Sequence, residues 1–170
     1  MTTVFREFII DGYNLLYKLF PDKRQRTLQE KREEAESLLL GFRQSERVKV
    51  TVVYDGRLPR GALREEGALN RVFTSQGYSA DEWVIDYLKS LGSRSRMFTI
   101  VSSDRFICRH ATAYGASYML SEHFIERLFV GKKKKDRQKE SGNIRKKFGS
   151  DRLSQKEVDQ WLVLFGETKD

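Results

Sequence analysis

Three acidic residues stand where short apolar runs end: Phe8-Ile9-Ile10 leads into Asp11, Val52-Val53-Tyr54 into Asp55, and Ile100-Val101-Ser102-Ser103 into Asp104. As strands of a parallel sheet, such runs would deliver all three acids to one edge, the edge at which α/β proteins bind ligands. A fourth acid, Asp81, falls in a helical stretch. At about 100° per residue it shares the inward stripe of Val84, Leu88 and Leu91, while Glu82 and Asp86 fall opposite. An ionised carboxylate turned inward is costly unless a cation compensates it. Carboxylates that cluster also raise one another's pKa, so keeping several ionised together calls for a positive charge between them. Oxygen-only donors without Cys or His select hard ions, Mg²⁺ or Mn²⁺. Such an ion acidifies a bound water and neutralises charge on a phosphodiester under attack, so metal-assisted phosphodiester hydrolysis is the chemistry that fits.

Each acid also has a structural reading. Asp11 before Gly12 is a turn signal, Asp104 is placed to cap a helix, and Asp81 favours a helix dipole. Asp55, in an ordinary Asp-Gly turn, is a peripheral candidate. Glu82 is accounted for by a capping box with Ser79. Tyr13 and Trp83 are the aromatic residues to watch for base stacking.

The elements that must position these acids alternate. Strands are expected at Phe5 to Ile10, Val48 to Tyr54, Arg71 to Thr74, Met97 to Ser102 and Ala116 to Leu120, with helices between them, the pattern of an α/β fold with a largely parallel sheet. A long helix places Leu28, Ala35, Leu38, Leu39 and Phe42 on one stripe. Capping boxes at Ser79/Glu82 and Ser154/Glu157 start helices near 80–91 and 154–165, and two more follow Ser103 and Ser121. The last helix, with Val158, Trp161, Leu162 and Phe165 on one side, is expected to dock on the body.

The chain has 170 residues, 39% hydrophobic and 33% charged, enough for one domain with attachments. Of its net charge of +8, segment 131–152 carries +7, from ten Lys or Arg against three Asp or Glu. The run Lys132, Lys133, Lys134, Lys135 therefore reads as a phosphate-contacting arm on a nearly neutral body. The expected organisation is a domain at 1–130, a basic flexible segment at 131–152 and a closing helix at 153–170. No apolar run approaches the length of a membrane span. A single cysteine, Cys108, and no secretion signal make a reducing cytoplasm the expected compartment.

Four segments in register, Ile9-Ile10-Asp11-Gly12-Tyr13-Asn14, Val53-Tyr54-Asp55-Gly56, Ser79-Ala80-Asp81-Glu82-Trp83 and Val101-Ser102-Ser103-Asp104-Arg105, resemble YacP-type NYN domains of the PIN-like nuclease superfamily. The resemblance covers about residues 5–130, and the closing helix is compatible with it. It implies a three-layer PIN-like fold with a mostly parallel five-stranded sheet flanked by helices, and endonucleolytic cutting of RNA, in this subfamily of translated messages, with the ribosome as a partner. Carried onto this chain, it implies Asp11, Asp81 and Asp104 as metal ligands and Asn14 as a residue that positions the first aspartate or a phosphate. Ser102, Ser103 and Arg105 would meet the substrate. Family members often carry a glutamate four residues after the helix aspartate; Ile85 stands there in this chain.

Two other readings compete. A receiver-like phosphoacceptor would need paired acids after the first strand and a lysine after the fifth, and neither is present. A noncatalytic RNA-binding module with the same fold is the alternative.

Overall fold

The computed structural model describes residues 6–21, 26–58, 63–65 and 67–130. The chain divides into two units, Met1–Lys133 and Lys134–Asp170, and all described residues fall in the first. The expected basic segment and closing helix lie outside the described residues, as does the run Lys132 to Lys135.

The elements follow in the order β1 (Glu7–Asp11), α1 (Gly12–Leu19), α2 (Leu28–Glu46), β2 (Lys49–Leu58), β3 (Leu63–Glu65), β4 (Asn70–Ser75), α3 (Ala80–Leu91), a 3₁₀ segment (Gly92–Met97), β5 (Phe98–Val101), α4 (Arg105–Ala113) and β6 (Ser117–Met119). A further helix, α5, runs over 121–130. The sheet order is β3-β4-β2-β1-β5-β6. Five strands are parallel, as expected, and β3 adds a short antiparallel edge against β4.

After β1 the chain builds outward through β2 and β4, then returns to lay β5 and β6 on the other side. The order therefore reverses beside β1, and the carboxyl ends of β1 and β5 flank the crevice in which such sheets bind ligands.

β1 is the central strand and is buried on both faces, as its continuous Phe-Ile-Ile run requires. Successive side chains alternate between faces. Phe8 and Ile10 enter one core with Leu15, Leu39, Phe42 and Phe124, whereas Ile9 enters the other with Val53, Val84, Leu88, Ile100 and Ile107. Each such buried side chain contributes roughly 1.5–3 kcal/mol. The same alternation sends Asp11, two residues beyond Ile9, to the face covered by α3 and α4.

Two elements depart from the sequence reading. Helix α1 starts directly at Gly12, where an Asp-Gly turn signal suggested only a bend. A β-carbon at position 12 would collide with the buried Tyr54 ring, so glycine lets the chain pass from strand to helix in close contact with that ring. Leu28, assigned to the inward stripe of α2, is exposed at the helix start, while Ala35, Leu39 and Phe42 form the buried face. α2 opens on a Thr27/Glu30 capping box and α3 on the expected Ser79/Glu82 box. No helix among the described residues is long and apolar enough to cross a membrane.

Candidate active site

Asp11 is both the last residue of β1 and the N-cap of α1. Its Oδ1 accepts from the backbone N–H of Asn14 at 3.1 Å, and its Oδ2 accepts from the hydroxyl of Ser102 at 3.2 Å. The residue is 9% exposed. Burial pushes its pKa up to about 6; the Asn14 N–H opposes the rise, the Asp81 carboxylate adds to it, the Ser102 hydroxyl opposes it and Asp55 adds a little more.

Asp81, in the first turn of α3, is half-buried, in keeping with the inward angle read from the helical wheel. Desolvation raises its pKa first, and then Asp104, Asp55 and Glu82 raise it further. Asp104 caps α4, its Oδ1 accepting from Phe106 N–H at 2.6 Å, while its own N–H donates to Ser102 Oγ at 3.1 Å. The cap and the edge position thus coexist in one residue. Asp55 accepts at Oδ1 from Ala80 N–H at 2.6 Å, which ties the end of β2 to the start of α3. The carboxylates of Asp81 and Asp55 thus act on Asp11, and those of Asp104 and Asp55 on Asp81. Among the described residues no lysine or arginine acts on either Asp11 or Asp81.

Ser102 is fully buried beneath this edge. Its oxygen joins Asp11 to the backbone of Asp104, so it reaches a bound molecule only through the residues it holds. Asn14 works in two directions. Its N–H holds Asp11, and its side-chain Oδ1 accepts from Ser103 N–H at 3.0 Å and from Ser121 Oγ at 2.7 Å. Ser103 Oγ in turn accepts from Ser121 N–H at 3.1 Å and donates to Glu122. Glu122 pairs with Lys18 at 2.7 Å. The Lys18 and Ser103 contacts hold the Glu122 carboxyl down at about 2. This polar chain fastens α1, the β5–α4 turn and α5 together. Sequence reasoning took Ser121 only as a helix start and passed over Glu122 and Lys18, although the strand-end rule that picked out Asp11 and Asp104 applies equally to Ser121 and Glu122, which follow β6.

Asp86, on the far side of α3, accepts from Tyr78 Oη at 2.8 Å and from Lys89 Nζ at 3.2 Å, and is exposed. Ile85, which stands in place of the glutamate common in the family, is buried in the core. The fourth acid at the edge is therefore Asp55, from β2. Tyr13 packs edge-on against Tyr54, and Trp83 stacks on Tyr87 at 4.9 Å, so both rings are engaged within the domain. Arg105 is exposed on the first turn of α4, with no ion-pair partner among the described residues.

All donors at this edge are oxygens, and a carboxylate cluster that lacks a cationic partner suits a hard divalent ion in donor chemistry and in charge. Among the described residues no three His, Cys, Asp or Glu side chains close around a common point. Waters and substrate oxygens would complete the shell, as they commonly do for Mg²⁺.

A parallel sheet with acids gathered where its strand order reverses, braced by buried serine and asparagine, defines a nuclease-like α/β domain. The chain belongs to the YacP-like NYN domain family, whose signature matches residues 8–165. Its fold is similar to crystal structures of Rae1 (YacP) from Bacillus subtilis. The likeness has a TM-score of 0.67 at 17% identity, covering 94% of each chain. For the W164L mutant of that protein the TM-score is 0.66, again at 17% identity, covering 87% of this chain and 86% of the other. No curated protein sequence matches this chain.

Proposed function

We propose that this protein is a divalent-metal-dependent endoribonuclease in which Asp11, Asp81 and Asp104, with Asp55 beside them, hold Mg²⁺ or Mn²⁺ against an RNA phosphate. The observation that carries this reading is the uncompensated charge at the edge: Asp11 and Asp81 are each pushed toward protonation by burial and by neighbouring carboxylates, with no basic side chain among the described residues to relieve them. The ion would supply the missing positive charge and an acidified water for hydrolysis.

The protein's own residues perform the positioning. Ser102 and the Asn14 N–H each occupy one lone pair of Asp11 and fix its plane, which leaves its remaining lone pairs without a partner among the described residues. Ser102 spans to the Asp104 backbone and sets the separation of β1 from α4. The Asp81 carboxylate has no hydrogen-bond partner among the described residues, so its oxygens are available to an incoming ligand. Arg105 stands beside Asp104 to meet a phosphate, and Lys132 to Lys135 would add sequence-independent attraction that salt weakens.

The proposal extends, as the resemblance to YacP-type NYN domains implies, to messenger RNA as the substrate, the ribosome as a partner and the cytoplasm as the setting; co-sedimentation of the tagged protein with ribosomes tests that part. Cleavage of a mixed RNA panel with and without Mg²⁺ or Mn²⁺, with Asp11→Asn as control, tests the chemistry. Cutting that persists in chelator or in the variant rejects it.

A second reading, a noncatalytic RNA-binding module, is favoured by one observation: the acids do not close a three-ligand cage and Ile85 contributes none. RNA binding without cleavage under any divalent ion would establish it.

A further inference from the structure

Beside Asp104 a groove of about 670 Å³ opens between α4 and the edge strand β6, lined by Arg105, Cys108, Arg109, Thr112, Tyr118 and Leu120. The four α4 residues lie at spacings of three and four and so form one stripe of the helix. Arg105 and Arg109 are both exposed, and neither guanidinium has an ion-pair or hydrogen-bond partner among the described residues. Tyr118 pairs in register with Ile100, whose side chain enters the core under α3 and α4. By strand alternation the Tyr118 ring therefore emerges on the α4 side, and it is 50% exposed. A half-exposed tyrosine beside two arginines without partners among the described residues combines a flat apolar surface with two positive charges.

We propose that this groove is the subsite for the nucleotide next to the scissile phosphate, with its phosphates on Arg105 and Arg109 and its base against Tyr118. The inference rests on the nuclease reading above and specifies which surface receives the strand. Its physical basis is charge and shape. The acidic edge repels RNA, whereas the adjoining stripe presents two arginines four residues apart, about 6 Å of rise along the helix, so that they can address successive positions of a backbone that leaves the acids along α4. Guanidinium forks suit phosphate oxygens, and bases stack on aromatic rings without demanding a sequence. The volume falls in the range of small-ligand sites, roughly 300–1,000 Å³. A single-stranded nucleic acid offers an anion and a flat base together.

The test is fluorescence anisotropy with a labelled single-stranded RNA oligonucleotide and a duplex of the same sequence, on the full chain. Arg109→Ala and Tyr118→Ala are introduced into both the wild type and the Asp11→Asn background. We expect Tyr118→Ala to raise the single-strand Kd at least fivefold and Tyr118→Phe to leave it near wild type. Arg109→Ala should flatten the salt slope by about 0.7. In cleavage assays both variants should raise KM with kcat changed less. Duplex binding should be insensitive to Tyr118→Ala, because its bases are already stacked. Unchanged Kd and salt slope in both variants, while Asp11→Asn still abolishes cleavage, would overturn the groove and leave the nuclease reading standing. Equal losses on duplex and single strand would overturn the stacking role. A wild type that neither binds nor cuts RNA would remove the nuclease reading, and the groove with it.

Discussion

The hydroxyl of Ser102 reaches Oδ2 of Asp11 at 3.2 Å across 91 residues of sequence, and the same oxygen accepts from the Asp104 N–H. One buried serine thus sets the relation between two acids that lie on different strands' ends. Its donated bond favours the ionised form of Asp11, so removing it raises a pKa that already stands at about 6. Ser102→Ala should move the acid limb of the pH–rate profile upward and lower kcat about tenfold at pH 7, with the far-ultraviolet circular dichroism spectrum retained. An unshifted acid limb would show that the serine acts only as packing.

Asp11 also links the site to stability. Its native pKa lies about 2 units above its ordinary value of 3.8, so the folded protein binds this proton more tightly than the unfolded chain does. The resulting stabilisation is complete below pH 4 and is lost as pH rises through 6, a swing of up to about 3 kcal/mol. An amide in its place carries no charge to desolvate. Asp11→Asn should therefore be more stable than wild type by about 1–3 kcal/mol at pH 7.5 without divalent ion, and close to it at pH 4. Urea unfolding at the two pH values checks this, and a variant less stable at both would contradict it.

A cation bound between the carboxylates would reverse that penalty. If Asp11 and Asp81 hold the ion, Mg²⁺ or Mn²⁺ raises the melting temperature of the wild type in proportion to the logarithm of free ion above its Kd. Asp11→Asn and Asp81→Asn should each blunt the response, and Asp86→Asn, whose carboxylate is engaged by Tyr78 and Lys89 on the far side of α3, should leave it intact. A titration with equal slopes for all four proteins would show that the ion binds elsewhere.

Much of this edge was legible in the residues. The apolar runs before Asp11 and Asp104 set the strand ends, and a helical wheel placed Asp81 inward. Helix α1 was not legible, because Asp-Gly after a strand is also a turn, and the difference depends on the Tyr54 ring, 42 positions away in the chain. Strand β3 depends on tertiary pairing with β4. Asp55 looked peripheral for a similar reason: its neighbour is a backbone N–H contributed by Ala80, and no local pattern reports it. Charges and caps are local signals, whereas bonds between chain-distant loops are not.

The tight fit at Gly12 carries its own consequence. A β-carbon there would strike Tyr54, which is buried and donates its hydroxyl to Glu36 at 3.2 Å, so the ring cannot easily retreat. Overpacking of this kind costs roughly 1–3 kcal/mol, and the displacement falls on the residue that follows Asp11. Gly12→Ala should lower both stability and activity. Pairing it with Tyr54→Leu, which vacates ring volume, should recover part of the activity; no recovery would mean that the glycine serves something other than the close approach.

Asp55 and Asp86 provide the sharpest contrast, because each is an exposed acid near α3 and only one faces the edge. Asp55 contributes to the ionisation of both Asp11 and Asp81 and holds the first N–H of α3, whereas Asp86 is occupied by Tyr78 and Lys89. Asp55→Asn keeps an oxygen for the Ala80 N–H while removing the charge, so its effect isolates electrostatics from capping. It should lower the affinity for activating Mn²⁺ about tenfold, the scale seen when a residue supporting a metal site is altered, with kcat at saturating ion falling less. Asp86→Asn should change neither. Measuring the activation constant for Mn²⁺ in both variants decides the point: equal constants would assign Asp55 to the fold alone, and a loss confined to Asp86→Asn would put the fourth acid on the helix after all.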